Sequence, residues 1–369
     1  MFSAQACAST YSQVNAGIDA YNRQDWDGAI AHFTTALAAQ DILPAFRTVA
    51  YFDRGIAHSG KKEWNLAIAD FTQAIGSDPE YAMAYQCRAE IYAEQEHFDL
   101  AIADVSAMLA HKPTLLEGYY QRAAYYFVQQ NYDATLADLT TVIRIEPQLA
   151  VGYLVRSVYH RMRGEYDIAI DDINEAITRA DRWPLNFIER GLNYEAKGDY
   201  PRATHDFKIA IDMAPDDPDI QINLALAYWE NGKFDNAADA VATFQTLAKG
   251  QISAYGAIWT WLIDEKKGKN GDNALKTFTA AYKETGWPRP ILDLYAGSST
   301  LDVMLKATND NDPARQKRKT CEANFYGGVW QETHNTKADA KVMLNSAALN
   351  CPWEFIERDA AIAELKRLR

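Results

Sequence analysis

Turn-forming residues are scarce in this chain, with 12 prolines and 19 glycines among 369 residues. That scarcity excludes a collagen-like or disordered polymer and argues against a turn-rich all-β protein. Long apolar runs are missing as well, and none approaches the ~20 residues that a membrane-spanning helix needs. Basic side chains are outnumbered, 37 against 50 acidic, for a net charge of −13. With no long basic stripe, nucleic acid is not the expected partner, because neutralising phosphates requires clustered Lys and Arg. Cysteine is limited to Cys7, Cys87, Cys321 and Cys351, without a CxxC and without a histidine at ligand spacing, so neither a zinc site nor any other metal or cofactor is expected. Catalytic signatures are also missing: there is no HExxH, GxSxG, P-loop or GxGxxG, and histidines 32, 58, 97, 111, 160, 205 and 334 share no spacing. A non-enzyme is the expectation.

What the chain does have is a repeat. The pattern aromatic–Asp/Asn–x–Ala–Ile/Leu–Ala–Asp begins at Trp64, Phe98, Tyr132, Tyr166, Tyr200 and Phe234, each 34 residues after the last, and an earlier copy starts at Trp26. Pro79, Pro113, Pro147 and Pro215 close their units. Two antiparallel helices per unit account for these residue types. Ala29, Ala67, Ala101, Ala169, Ala203 and Ala237 keep the second helix close to its neighbours, and Gly17, Gly55, Gly191, Ala89, Ala123, Ser157 and Ala225 do the same for the first. Phe33, Phe71, Leu139 and Phe207 fill the space between units, and proline stops the second helix. The period and its signposts resemble the tetratricopeptide repeat (TPR) family. The resemblance implies an all-α, right-handed superhelical solenoid of antiparallel helix pairs, with a concave face lined by first helices.

Two repeat positions vary together. Arg54, Arg88, Arg122, Arg156 and Arg190 occupy the seventh position of five consecutive units, and Asp70, Asp104, Asp138, Asp172 and Asp206 the twenty-third. The first unit has Ala16 and His32 there, and the seventh has Leu224 and Ala240. The expectation is a ladder of partly buried Arg–Asp pairs, where truncating one partner costs roughly 3–5 kcal/mol. The alternative is five arginines offered to an anionic ligand.

The expected layout is a leader remnant or disordered N-terminus over 1–9, seven repeat units over 10–250, degenerate helix pairs over 251–311, and a TPR-like hairpin with a capping helix over 312–369. In the degenerate region, residues 251–286 read as a helix pair, with Tyr255, Trp259 and Trp261 on the first helix and Ala274, Phe278 and Ala281 on the second. In the tail from Trp353 the apolar face is read as Phe355, Ile362 and Leu365. Cys321 and Cys351 lie at adjoining ends of the last hairpin, close enough for a disulfide worth roughly 3–4 kcal/mol on a loop-entropy basis; two unpaired thiols are the alternative. Cys87 reads as a small core-edge residue. A disulfide points to an oxidising compartment. Ala4–Gln5–Ala6 has the form of a signal-peptidase site but no apolar segment precedes it, so a leader missing from this sequence, lipid attachment at Cys7, or a true cytoplasmic start at Met1 all stay open.

Binding chemistry in TPR proteins lies on the concave face, at repeat positions 2, 5, 9, 12 and 13. Here these give Phe52 and Ile56; Met83, Gln86 and Glu90; Tyr120 and Phe127; Val151, Leu154, Val158 and Met162; Leu185, Ile188 and Leu192; and Ile222, Leu226 and Trp229. That face is apolar and lacks the Lys, Arg and Asn set with which chaperone-type TPR clamps grip carboxylates. It suits an amphipathic helix or an extended apolar segment; the alternatives are the chain's own C-terminal helices or a second copy forming a homodimer. Trp287–Pro288–x–Pro290, Cys321–Glu322–Ala323–x–Phe325–Tyr326–x–Gly328, Cys351–Pro352 and Ala363–Glu364–Leu365–Lys366–Arg367–Leu368 resemble bacterial envelope TPR proteins related to the outer-membrane lipoprotein adaptor that brings murein hydrolases to a periplasmic protease. That resemblance implies a periplasmic or envelope adaptor for a peptidase or hydrolase. A self-associating structural protein and a cytoplasmic co-chaperone or regulator are the competing functions.

Overall fold

The computed structural model describes residues 4–40, 42–249, 251–334, 337–352 and 355–368, apart from the side chains of 4–9, 251 and 252. Among them are 21 helices and no strand. The helices fall into two compact units, residues 1–152 and 153–369. Unit 1 holds α1 (Ala4–Asn22), α2 (Trp26–Leu37), α3 (Pro44–Gly60), α4 (Trp64–Ser77), α5 (Ala82–Glu94), α6 (Phe98–His111), α7 (Leu116–Val128) and α8 (Tyr132–Ile145). The division falls inside α9 (Ala150–Met162). Unit 2 continues with α10 (Tyr166–Arg179), α11 (Pro184–Ala196), α12 (Tyr200–Met213), α13 (Pro218–Glu230) and α14 (Phe234–Leu247). Its last third holds α15 (Gln251–Lys266), α16 (Asp272–Ala281), α17 (Arg289–Tyr295), α18 (Leu301–Lys306), α19 (Pro313–Thr333), α20 (Lys337–Asn350) and α21 (Ile356–Arg367). Residues 4–9 are helical, within the stretch read as a leader remnant or disordered segment. Met1, Phe2, Ser3 and Trp353 lie outside the described residues, as does the side chain of Cys7.

Local chemistry sets the helix ends. Asp25, Asn131, Asp199 and Asp217 cap α2, α8, α12 and α13 with side-chain oxygens on exposed amides, and proline opens α3, α11 and α13 where its missing N–H costs nothing. Between the two helices of each pair one residue takes a left-handed φ of 60–78°: Gln24, Lys62, Glu96 and Gln130 in unit 1, then Gly164, Gly198 and Gly232 in unit 2. Inside the pairs, small residues face large ones. A β-carbon on Gly17, Gly55 or Gly191 would sit 2.6, 2.8 or 2.6 Å from the ring of Phe33, Phe71 or Phe207. Where the second helix instead carries Val105, Leu139 or Val241, the first carries Ala89, Ala123 or Ala225, so the two positions share a fixed volume.

Beyond the repeats α15 and α16 form the expected pair, while the buried face of the tail helix differs from the expectation. In α16 the buried residues are Leu275 and Thr279, with Ala274 and Ala281 exposed and Phe278 partly buried. In α21 they are Glu357, Ala360, Ala361, Ala363 and Glu364, whereas Phe355, Ile362 and Leu365 are only half-buried. The physical reason is contact on several sides. α21 packs on α13, α19 and α20 at once, which demands small side chains rather than one broad apolar stripe. A Cys321–Cys351 disulfide joins α19 to the residue following α20. Cys87 is a half-buried free thiol whose pKa burial pushes up to about 12, which leaves it unreactive.

Candidate functional site: the first-helix face

The arginines and aspartates pair across each helix hairpin. In all five pairs the guanidinium donates from Nε and Nη2 to the two carboxylate oxygens at 2.6–2.8 Å. Every aspartate is buried. The remaining edge is used too. Nη1 of Arg54, Arg88, Arg122 and Arg190 donates at 2.7–2.9 Å to Thr34, Thr72, Ser106 and Asn174 on the preceding second helix. Bonding to aspartate raises the arginine pKa values, so these groups stay charged and each ties two hairpins together. An anionic ligand would find no spare edge on these four. Asp172 belongs to this ladder through Arg156. His58 and His160, which share a repeat position, each meet a glutamate five residues on, Glu63 at 2.6 Å and Glu165 at 2.7 Å.

With the ladder assigned to structure, the candidate interaction surface is the face of the first helices. In unit 1 this face comes from α3, α5 and α7. Met83 is 55% exposed, and Ile56, Tyr120 and Phe127 are half-buried, with Gln86 half-buried and Glu90 exposed beside them. Phe52 is not part of this surface. Its ring lies 5.7 Å from Phe71 and 5.1 Å from Tyr81 and fills the seam between hairpins. Strong contacts within unit 1 join consecutive helices and α1 with α3. Val151, in the first turn of α9, is half-buried.

In unit 2 the corresponding face comes from α9, α11 and α13, and the chain itself lies across part of it. Trp229 is 0% exposed, stacked edge-on at 5.4 Å with Trp259 and capped by the Arg367 guanidinium 5.3 Å from its ring centre. Arg367 of α21 also donates to the Trp229 and Glu230 carbonyls in the last turn of α13. Leu154 and Leu226 are buried; Val158, Met162, Ile188, Leu192 and Ile222 are half-buried; only Leu185 is exposed. A continuous open groove along all the expected positions is therefore corrected. Unit 2 fills much of its own face, and Trp229, Leu226, Leu154 and Phe52 are core.

Under α21 a cavity of about 360 Å³ is left, lined by residues that include Arg161, Met162, Leu192, Glu195, Glu230, Asp359 and Lys366. Arg161, Glu195 and Glu230 occupy repeat positions 12, 12 and 13 in α9, α11 and α13. The sequence signal that could have found them is the register itself, which puts these three charges among Phe127, Met162 and Trp229. Glu195 is buried, and burial first, then the charges of Glu230 and Asp359, push its pKa well above the ordinary carboxylate value. Burial and Asp359 likewise push Glu230 up to about 8. Deeper in unit 2, Glu322 accepts from Tyr255 at 2.6 Å and from Trp287 at 2.8 Å, and Glu357 accepts from Tyr326 at 3.0 Å. Among the described residues no cluster could hold a metal ion, and no helix is long and apolar enough to cross a membrane.

Comparison with known proteins bears on this geometry. The tetratricopeptide repeat family model matches residues 52–114 and 188–251. The C-terminal part of a TPR repeat-containing protein from Cytophaga hutchinsonii superposes with a TM-score of 0.54 at 16% identity, covering 66% of this chain and 98% of that one. A tetratricopeptide repeat protein from Parabacteroides merdae is similar at 17% identity over 69% of this chain and 99% of that one, with a TM-score of 0.48. No curated protein sequence matches. The hairpin period, the family match and the likeness of fold agree: the chain carries tetratricopeptide repeats, folded as an all-α solenoid of helix pairs.

Proposed function

We propose that this protein is a non-catalytic scaffold that holds a segment of a partner protein against the first-helix face of unit 1. The observation that carries the reading is the row of Ile56, Met83, Tyr120 and Phe127 on α3, α5 and α7, with Met83 more than half exposed. Apolar anchors of this kind receive the apolar side of a helix or an extended strand. The TPR fold favours protein partners in general. The acidic surface, with a net charge of −13, favours a partner segment that mixes apolar and basic residues. We place the protein in a bacterial cell envelope, with a peptidase or hydrolase as partner. This rests on the disulfide between Cys321 and Cys351 and on the likeness of the C-terminal sequence to envelope adaptors.

A photo-crosslinking residue in place of Met83, introduced in the producing cell, tests the face. It should capture a discrete partner, and the same residue in place of Leu349, 82% exposed in unit 2, should not. Equal capture from both positions, or none from Met83, removes this face as the binding surface. Met83→Asp and Phe127→Asp should then abolish co-purification of the captured partner. Leu154→Asp is no substitute, since Leu154 is core and the change would unfold the protein. Thiol titration of protein isolated from its host tests the compartment; four free thiols would rule the envelope placement out.

A further inference from the structure

We propose that the cavity walled by α9, α11, α13 and α21 is a binding site for a single aliphatic ammonium carried on a slim methylene chain. Three carboxyl groups line this space from three different helices: Glu195 from α11, Glu230 from α13 and Asp359 from α21. Glu195 is only 6% exposed, and among the described residues nothing donates a hydrogen bond to its Oε1. A buried oxygen without a donor is costly, and a ligand N–H removes that cost.

The basic groups around the cavity are already engaged. Arg161 is clasped by Glu189 at 2.7 and 3.2 Å, Arg163 meets Glu165 at 3.0 Å, and Arg358 meets Asp359 at 3.4 Å. Lys366 is exposed at the rim. With Asp359 answered by Arg358, Glu195 and Glu230 are left facing Lys366 at the rim. At about 360 Å³ the space exceeds what a water or two would need and lies in the range of small-ligand sites.

The shape of the acceptor set selects the ligand. A compact ammonium has three donors that can turn toward three carboxyls on separate helices, whereas a planar guanidinium is matched to one carboxylate taken side-on. Met162, Leu192 and Ile362 supply apolar wall for the methylenes, with Tyr166 and Tyr200 nearby. A metal ion is not the occupant, since no described cluster could hold one. The same chemistry is offered by a free aliphatic diamine and by a lysine side chain of a bound protein. Burial raises the pKa of both Glu195 and Glu230, helped by the charges of Glu230 and Asp359 at Glu195 and of Asp359 at Glu230. Arg161 opposes the rise at Glu195, and Lys366 and Arg367 oppose it at Glu230. An arriving cation therefore drives both groups to ionise, and binding releases protons. This site is independent of the unit 1 face.

Calorimetric titration of the full chain at pH 7 tests it, with 1,5-diaminopentane, Nα-acetyl-lysine N-methylamide and uncharged 1-pentanol as probes, in two buffers of different ionisation enthalpy. One or both amines should bind with proton release, and Glu195→Gln and Glu230→Gln should each weaken binding at least tenfold. Binding of the diamine alone identifies a free amine as the ligand, and binding of the blocked lysine identifies a partner's side chain. Binding of neither amine, equal binding of pentanol, or unchanged affinity in the glutamine variants overturns the proposal. Circular dichroism reports folding of both variants; should Glu195→Gln fail to fold, Glu230→Gln decides.

Discussion

Units 1 and 2 are made from one repeat but bury their side chains on different plans. Among the described residues unit 1 has three separate apolar clusters in sequence order, around Phe33, Phe71 and Val105. Unit 2 has a single core that runs from Phe187 through Trp229 and Trp259 to Ala361. The cause is where the period holds. A strict 34-residue spacing lets each hairpin touch only its neighbours, so stability is a sum of local terms. From α15 onward the period fails and helices return to earlier ones: α15 contacts α17, α19 contacts α21, and α21 contacts α13. Regularity keeps a face open in unit 1, and its loss closes one in unit 2.

The largest test of this contrast is a matched truncation. Trp229→Ala and Phe71→Ala should each cost about 3–5 kcal/mol, but hydrogen exchange should show different reach. Protection should fall across α13 to α21 in the first variant and only across α3 to α5 in the second. Local loss in both would mean that unit 2 is no more unified than unit 1. Next in size is the disulfide, which closes a loop with a sequence separation of 30. Cys321→Ser should cost about 3–4 kcal/mol by loop entropy, read in the denaturant midpoint of unit 2, with the unit 1 transition unmoved.

A smaller, continuous effect should follow pH. Glu230 and Glu357 in unit 2 are raised from 4.5 to about 8, and Asp53 in unit 1 from 3.8 to about 6, in each case chiefly by burial. Between the unfolded and folded pKa values the folded state holds more protons than the unfolded one, so stability falls as pH rises through that window. Unit 2 should therefore go on losing stability up to about pH 8, while the Asp53 contribution in unit 1 is spent near pH 6. Denaturant titrations at pH 5, 6.5 and 8 measure this; a unit 2 midpoint that does not fall between 6.5 and 8 contradicts it. The smallest effect concerns the left-handed turn residues. Gly198→Ala should cost about 1–2 kcal/mol, whereas Gln130→Gly, where a side chain already bears that φ of 61°, should change stability little or raise it. Thermal melts of the two variants give the comparison directly.

Residue periodicity made the hairpins legible, because a position that recurs every 34 residues has the same neighbours each time. Arg54 to Asp206 could be paired on paper for that reason. The third partners of Arg88, Arg122 and Arg190 were equally periodic, as Thr72, Ser106 and Asn174, but hydroxyls and amides on a helix look like solvated surface until the guanidinium is seen to reach them. The Gly–Phe and Ala–Val exchanges were likewise in plain view as a volume rule. What could not be read was the cover on Trp229. A repeat register shows that two positions are equivalent, yet it cannot show that a helix outside the repeat rests on one of them. For the same reason the register could not show Glu195 and Glu230 lying beneath α21.

Arg367 meets the carbonyl of Trp229 across 138 positions of chain. Synthesis at about 5–20 residues per second takes roughly 7–30 s to cover that distance. Through that interval the emerging α13 displays Trp229 with no lid, while the hairpins of unit 1 can settle one after another as each leaves the ribosome. Unit 2 is therefore completed later than unit 1. Its maturation waits on α21.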